Sequence, residues 1–141
     1  MAPVVPRNGT ALLGRLLIAA IFVTSGFAKL TDTAGTVAYM ESAGISNAGT
    51  LAIIAGIAEI AGGLSLAFGL LTRIGALGLV AFLVLTNFMM HNFWTMAEPA
   101  AKTNMVQFMK NLAIMGGLFM IVAMGPGRFS LDARLRKPKA A

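Results

Sequence analysis

LAIIAGIAEIAGG, residues 51–63, is an almost continuous run of aliphatic and small side chains that holds one acid, Glu59, near its middle. The composition of the whole chain indicates what surrounds this run. Of the 141 residues, 57% are hydrophobic and 11% are charged, and the mean hydropathy is +0.82. A soluble domain carries about 25% charged residues, so this chain has too few charges to cover a globular surface. The sequence therefore predicts a membrane protein. A soluble helical bundle with an unusually apolar core is the alternative.

Four stretches are long and apolar enough to cross a bilayer as helices, which takes about 20 residues each. Leu71-Thr72-Arg73 is a tight turn that makes an antiparallel hairpin of the second and third spans. Residues 31–46 are predicted to contain a short amphipathic helix around residues 37–40, and residues 93–104 to form a loop. The predicted fold is all-α, a polytopic four-helix membrane bundle in a single transmembrane domain, residues 1–141. The spans cover about residues 10–30, 47–71, 72–91 and 105–124.

The distribution of basic residues predicts the orientation. An even number of spans places both termini on one face of the membrane, and most of the 11 Lys and Arg residues lie on that face. The positive-inside rule then puts both termini, with the basic tail at residues 125–141, in the cytoplasm. A cleaved signal peptide is the alternative for the first span, but Lys29-Leu30 stands where a small-x-small cleavage site would be needed. The face with the termini carries Arg7, Arg15, Arg73, Arg128, Arg134, Arg136, Lys137 and Lys139, and the other face carries Lys29, Lys102 and Lys110.

Glu59 needs a special environment, because a charge at the bilayer centre costs about 2.5–3.5 kcal/mol on insertion scales. Residues three and four apart share a helix face, and on this rule Glu59 shares its face mainly with Gly and Ala. The pattern predicts that Glu59 points into a close helix contact and away from lipid. The predicted stripe consists of Ala52, Ala55, Gly56, Glu59, Gly62, Gly63 and Leu66, and the large residues that lie elsewhere include Ile54, Ile57, Leu64 and Phe68.

Depth in the membrane offers two basic partners for Glu59, which lies ~16 to 18 Å below the outer end of the second span at 1.5 Å per residue. Lys110 lies ~8 Å below the outer end of the fourth span, within stretched reach of the carboxylate. Arg15 lies ~8 Å above the cytoplasmic end of the first span and could approach from below. Lys29 is farther away by this measure. Depth slightly favours Lys110 and leaves Arg15 open.

Further polar residues gather in the outer half of the predicted bundle, in pairs spaced for one helix face. Because unsatisfied polar groups cost several kcal/mol in lipid, these pairs are expected to meet inside the bundle. They form either a pocket open to the outside, for a polar head group, a proton or a small anion, or hydrogen bonds that only stabilise the bundle. For His91, a position among lipid head groups beside the interfacial Trp94 is a further alternative. The candidate pocket residues are Ser25, Lys29, Glu59, Asn87, His91, Gln107, Lys110 and Asn111, together with Arg15.

Several kinds of chemistry have no signal in this sequence. The chain has no Cys and one His, which removes disulfides and thiolate sites, and no residues have the spacing of metal ligands. No Ser stands in the arrangement of a nucleophilic triad. We therefore expect no metal site and a non-catalytic subunit rather than an enzyme. The basic tail is expected to contact anionic lipid, at about 1 kcal/mol per charge, rather than nucleic acid.

Short segments in order along the chain share a pattern with a known family: Gly14–Leu17, Ser25–Leu30, Glu59–Gly63, Gly69–Arg73, His91–Trp94, Gln107–Leu112 and Gly125–Asp132. Across these segments, about residues 12–132, the chain resembles the DoxX family of membrane proteins. The resemblance implies a bacterial inner (plasma) membrane protein of four helices. It also implies an association with quinone-linked terminal oxidase or thiosulfate:quinone oxidoreductase systems, for which the family is named. It brings no set of catalytic residues.

Three functions fit these observations. The first is a small inner-membrane subunit that supports membrane-associated redox chemistry, by binding a quinone-like head group or by anchoring a partner oxidoreductase. It would hold no cofactor of its own, and a quinone is the one candidate ligand. The second is a small-solute or proton-coupled transporter or channel in which Glu59 titrates. The third is a lipid- or cargo-binding scaffold. The expected partners are membrane lipids, with a membrane oxidoreductase or a second copy of the chain as open alternatives.

Overall fold

The computed structural model describes residues 7–136, and within that range the chain forms six α-helices and no strand. Four of the helices are long and apolar enough to cross a membrane, which confirms the predicted all-α, four-helix membrane fold. The helices are α1 (Arg7–Thr31), α2 (Thr33–Ser42), α3 (Ala48–Phe68), α4 (Thr72–Met90), α5 (Ala100–Met124) and α6 (Leu131–Leu135), with a 3-10 turn at Phe93–Thr95.

The four long helices form a ring with one weak seam. The most extensive contact is between α1 and α3; α3 then packs on α4 and α4 on α5, while α5 touches α1 only sparsely. The short helix α2 lies across the end at which α1 finishes and α3 begins, and it packs on both. We call this the distal end and the opposite one the terminal end, because both described chain ends lie there. The positive-inside prediction places the terminal end in the cytoplasm.

Two predicted boundaries and the predicted character of one short helix differ from the structure. The fourth span begins at Ala100 rather than near residue 105, because Pro99 directly precedes the helix, where a proline costs no hydrogen bond. The second span ends at Phe68 rather than residue 71, because Gly69 adopts a left-handed conformation that stops α3. The helix predicted near residues 37–40 exists as α2, but its apolar side chains do not gather on one face, so the predicted amphipathic character is wrong.

Glycines bring α1 and α3 into close contact. A Cβ atom on Gly26 would lie 2.6 Å from the backbone oxygen of Gly56, and one on Gly63 would lie 2.8 Å from Val23 Cγ2. Such small residues let helix backbones approach in membranes, where dispersion contacts rather than the hydrophobic effect hold helices together. The buried face of α3 is the predicted stripe apart from Gly62, which is only half-buried and faces Leu79. The large residues of α3 that the pattern placed elsewhere are exposed.

The centre of the bundle is an apolar layer to which every long helix contributes. Phe22, Leu66, Leu79 and Leu118 come from α1, α3, α4 and α5, and each is at most 2% exposed. They belong to one continuous cluster of buried apolar side chains. This layer fills the bundle between the polar residues of the distal end and the arginines of the terminal end.

The C-terminal segment is folded onto the bundle, an arrangement that the sequence does not predict; the contact of its basic residues with lipid stays a prediction. We call residues 125–135 the C-terminal clamp. Asp132 accepts hydrogen bonds from the backbone N–H groups of Leu71 (2.8 Å) and Thr72 (2.9 Å) and from Thr72 Oγ1 (2.7 Å), and its own N–H donates to Gly69 O. It therefore caps the start of α4, where free N–H groups favour an anion. Lys137 and Lys139, which were also placed in the tail, lie outside the described residues.

The clamp gives the fold a predicted pH dependence. Burial raises the pKa of Asp132, but the hydrogen bonds from Thr72 and Leu71 and the charge of Arg136 outweigh it and hold the pKa below its usual range. Because its pKa is lower in the folded state, the ionised Asp132 carboxylate stabilises the fold at pH values above the ordinary Asp pKa. This stabilisation is lost as the pH falls through the lowered pKa. Asp132→Asn is expected to lower the free energy of unfolding by about 1–3 kcal/mol at pH 7.

Thermal unfolding of wild type and variant between pH 3 and pH 7 measures this contribution. The difference between the two proteins should shrink towards pH 3. Asp32→Asn is the control, because Asp32 caps only the short helix α2 through Gly35 N. A difference between wild type and Asp132→Asn that does not change with pH would contradict the assignment.

Candidate functional site

A cavity of about 570 Å³ opens at the distal end between α1 and α5, and we call it the distal pocket. It lies along the weak seam of the ring, with α2 at its rim. Its apolar walls come mainly from α1, α4 and α5, and include Phe22, Leu83 and Ile114. Seven of the predicted site residues line it: Ser25, Lys29, Glu59, His91, Gln107, Lys110 and Asn111.

Glu59 is held by two residues of α1. Its Oε1 accepts a hydrogen bond from Ser25 Oγ (2.9 Å), and its Oε2 forms an ion pair with Lys29 Nζ (2.8 Å). Lys29 Nζ also donates to Ser25 Oγ at 2.8 Å, which closes a triangle of three groups. The carboxylate is buried, with Glu59 only 4% exposed, and Lys29 is the partner of Oε2 within the range 7–136. Lys29 therefore supplies the compensating charge that burial requires.

The pairing with Lys29 corrects both predicted partners, and helix polarity explains the outcome. Side chains lean towards the N-terminus of their own helix. Lys29 on α1 therefore leans from the distal end into the membrane, while Glu59 on α3 leans outwards to meet it. Lys110 on α5 leans in the same direction as Glu59, since α3 and α5 both begin at the distal end, so helix polarity does not turn the two side chains towards each other. Arg15 leans towards the terminal end. The depth of a residue in the membrane, which favours Lys110 and leaves Arg15 open, carries no information about the direction in which its side chain leans.

Asn87 joins α4 to α5 behind the pocket wall. The side chain is 1% exposed. Its Oδ1 accepts a hydrogen bond from Asn111 Nδ2 at 2.7 Å, and its Nδ2 donates to Phe108 O at 3.4 Å. Asn87 is thus the predicted site residue that stabilises the bundle without lining the pocket, and Asn111 both lines the pocket and makes this bond.

His91 lies at the rim of the pocket and bonds to a residue that the sequence analysis missed. His91 Nδ1 lies 2.9 Å from Asn104 Oδ1, and Asn104 Nδ2 donates to Ala100 O. With Asn104 Oδ1 as the acceptor, His91 Nδ1 is the donor of this bond, and the tautomer with the proton on Nδ1 leaves Nε2 as an acceptor. Asn104 was placed in a loop. With α5 starting at Ala100, it lies three residues before Gln107 and on the same helix face, which is the signal that could have identified it.

Two polar side chains of α5 face the pocket with no partner in the described range. Lys110 is exposed and forms no ion pair with any acid between residues 7 and 136. Gln107 is half-buried, and its amide makes no hydrogen bond to another residue of the same range. Because Glu59 is already paired with Lys29, Lys110 adds a positive charge that no ion pair in the described range neutralises, although the lining also includes Asp32, the acid that caps α2.

Arg15 lies at the terminal end, and its predicted place beneath the pocket is wrong. It is 1% exposed, and its Nη2 donates to Phe129 O in the C-terminal clamp. The guanidinium lies over Gly69, the left-handed residue that ends α3, where the negative end of the helix dipole favours a cation. A side chain on Gly69 would collide with Arg15 and with Ser130. Arg15 thus fastens the clamp to the bundle.

The sequence pattern that defines the DoxX family matches residues 10–92, which covers α1 to α4 and the Glu59–Lys29 pair. The chain belongs to the DoxX family. Two relatives from Escherichia coli (strain K12) extend the similarity into α5. The inner membrane protein YphA is 34% identical over 123 residues, which cover 87% of this chain and 88% of YphA. The inner membrane protein YqjF is 39% identical over 126 residues, which cover 89% of this chain and 92% of YqjF. No solved structure matches the chain.

Family membership and the four apolar helices place this DoxX protein in the bacterial inner membrane as a multi-pass protein surrounded by lipid. The exposed aliphatic and aromatic side chains of the long helices are the surface that meets that lipid. The buried polar residues of α1, α3 and α4 lie within the stretch that the family pattern covers, whereas Gln107 and Lys110 lie beyond it.

Proposed function

We propose that the distal pocket binds the polar head of a quinone-like amphiphile, and that the protein is a non-catalytic subunit that supports redox chemistry carried out by a partner enzyme. The observation that carries the proposal is that one of the two lysines lining the pocket is paired and the other is not. Lys29 neutralises Glu59, and Lys110 stays unpaired in the cavity beside Gln107 and His91.

The size and walls of the pocket support a small amphiphile. Ligand cavities are commonly about 300–1,000 Å³, mostly apolar, with a few convergent polar groups, and the distal pocket has about 570 Å³ and walls of this kind. Its position on the seam between α1 and α5 would let an apolar tail extend into the surrounding lipid while the head stays inside.

The polar groups present suit both redox forms of such a head. Lys110 Nζ and the Gln107 amide can donate hydrogen bonds to quinone carbonyl oxygens. His91 Nε2 can accept a hydrogen bond from the hydroxyl of the reduced form. A pocket that binds both forms would hold a quinone without changing its redox state, and the partner enzyme would carry out the electron transfer.

Binding of a short-chain quinone to the purified protein tests the proposal. Decyl-ubiquinone is expected to raise the unfolding temperature, and decanol, which offers a tail without the head, to raise it much less. Lys110→Met should weaken quinone binding by about tenfold or more, because a hydrogen bond to a charged group contributes about 1.5–3 kcal/mol.

Lys102→Met is the matched control, because Lys102 is also an exposed lysine of α5 but does not line the pocket. Equal quinone binding by wild type and Lys110→Met would overturn the proposal. A transporter in which Glu59 titrates is the second candidate, favoured by the position of this buried carboxylate on the cavity wall. Proton flux in proteoliposomes that Glu59→Gln abolishes would favour it.

A further inference from the structure

A second cavity, of about 450 Å³, lies between α1 and α5 at the terminal end, and we call it the terminal groove. Its walls are almost entirely apolar and include Ile18, Met120, Ile121 and Met124. Glycines help to leave this space open. Gly14 lines the groove, and a Cβ atom on it would meet no atom within 4 Å. The groove follows the same weak seam as the distal pocket and is separated from it by the apolar central layer.

Three arginines belong to chain segments that meet at the terminal end of the groove. Arg7 lines the groove itself. Arg73 lies beside Gly125, a lining residue, since a Cβ atom there would be 3.5 Å from Arg73 Nη2. Arg128 follows Gly127, which packs against the groove residue Ala11, and its backbone N–H donates to Asn8 Oδ1. Chain segments from α1, α4 and the clamp thus bring positive charge to one place.

No acid in the described range offsets this charge at the mouth. Between residues 7 and 136, the terminal end has one acid, Asp132. Its carboxylate accepts hydrogen bonds from Leu71 and Thr72 at the start of α4. The other described acids lie away from the mouth of the groove. Asp32 and Glu41 are on or next to α2, Glu59 is at the middle of α3, and Glu98 is in the loop before α5. Arg15 also lines the groove, but its guanidinium is buried against the clamp.

We propose that the terminal groove holds one acyl chain of an anionic phospholipid, whose phosphate lies among Arg7, Arg73 and Arg128. An apolar slot that opens sideways to the bilayer is suited to an acyl chain, and a cluster of arginines at the membrane surface attracts anionic head groups. The guanidinium groups can also make paired hydrogen bonds to phosphate oxygens. A bound chain would fill the sparse contact between α1 and α5 and join the two helices. This site does not depend on the function of the distal pocket.

Native mass spectrometry of the delipidated protein, titrated with phosphatidylglycerol or phosphatidylcholine of identical acyl chains, tests the proposal. The first phosphatidylglycerol should bind several times more tightly than the first phosphatidylcholine. Arg7→Gln should reduce that preference about fivefold, because one basic residue near the surface contributes about 1 kcal/mol. Gly14→Leu should weaken binding of the first lipid about tenfold, because the new side chain displaces about two buried methylene groups of the acyl chain.

Gly116→Leu is the matched control for the filled groove. Gly116 lies on α5 outside the groove, and a Cβ atom there also meets nothing within 4 Å. This variant should bind the first lipid as the wild type does. Equal binding of the two lipids by the wild type, or equal binding by Gly14→Leu and Gly116→Leu, would overturn the proposal. If Gly14→Leu does not fold, the loss of lipid preference in Arg7→Gln decides the question.

Discussion

Lys29→Met is expected to destabilise the protein by about 3–5 kcal/mol, because it leaves the buried Glu59 carboxylate without a compensating charge. Glu59→Gln should cost less. Lys29 is about a quarter exposed at its side chain, whereas Glu59 is almost fully enclosed, so the lysine that remains can turn towards the membrane surface. Unfolding in mixed micelles of increasing denaturing detergent measures both changes in the free energy of unfolding.

Lys110→Met is the control that separates the observed pair from the one that depth alone favoured. Because Lys110 is exposed and makes no ion pair in the described part of the chain, its replacement should change the free energy of unfolding by no more than about 0.5 kcal/mol. The double variant Lys29→Met/Glu59→Gln should lose less stability than the sum of the single changes, because each partner is costly when it stands alone. Equal losses for Lys29→Met and Lys110→Met would refute the pairing.

Gly26→Ala is also expected to destabilise the protein, with a loss of about 1–3 kcal/mol from overpacking. The added methyl group would lie 2.6 Å from Gly56 O, a backbone atom, and 2.8 Å from Ile60 Cγ1. Since backbone cannot turn aside as a flexible side chain does, α1 and α3 have to separate. This separation would stretch the bonds that join Ser25 and Lys29 to Glu59.

The midpoint of detergent unfolding measures the loss, and Gly116→Ala serves as the control because its new methyl group meets open space. A second measurement tests the link to the ion pair. In the Gly26→Ala background, Lys29→Met should cost less than it does in the wild type, because the pair is already weakened. If Gly26→Ala and Gly116→Ala unfold alike, or if the cost of Lys29→Met is unchanged, the close contact does not support the pair.

The distal pocket and the terminal groove both lie along the seam between α1 and α5. The contact between α1 and α5 is the sparsest around the ring and has a cavity near each membrane surface, and a further apolar cavity of about 570 Å³ lies between α3 and α4. The distal pocket presents amide, imidazole and ammonium groups, whereas the terminal groove is apolar with arginines at its mouth. The central layer of Phe22, Leu66, Leu79 and Leu118 keeps the two apart.

Much of the fold and part of the candidate site follow from the sequence. The four spans could be predicted because lipid demands about 20 apolar residues in each helix. The inward direction of Glu59 could be predicted because its face of α3 is made of small residues. The same reasoning gathered seven polar residues that do line one pocket. It misplaced Arg15, because spacing on a single helix says which residues share a face but not which way a long side chain reaches.

The sequence by itself determined the four spans, the face that α3 buries and the need of Glu59 for a partner, since these depend on span length, on local periodicity and on the cost of charge in lipid. Tertiary structure alone decided that the partner is Lys29, because the contact of Gly26 with Gly56 sets how far α1 is shifted along α3. It also decided that Asp132 caps α4 from 60 residues away. Contacts of this kind join segments whose relative position no local pattern encodes.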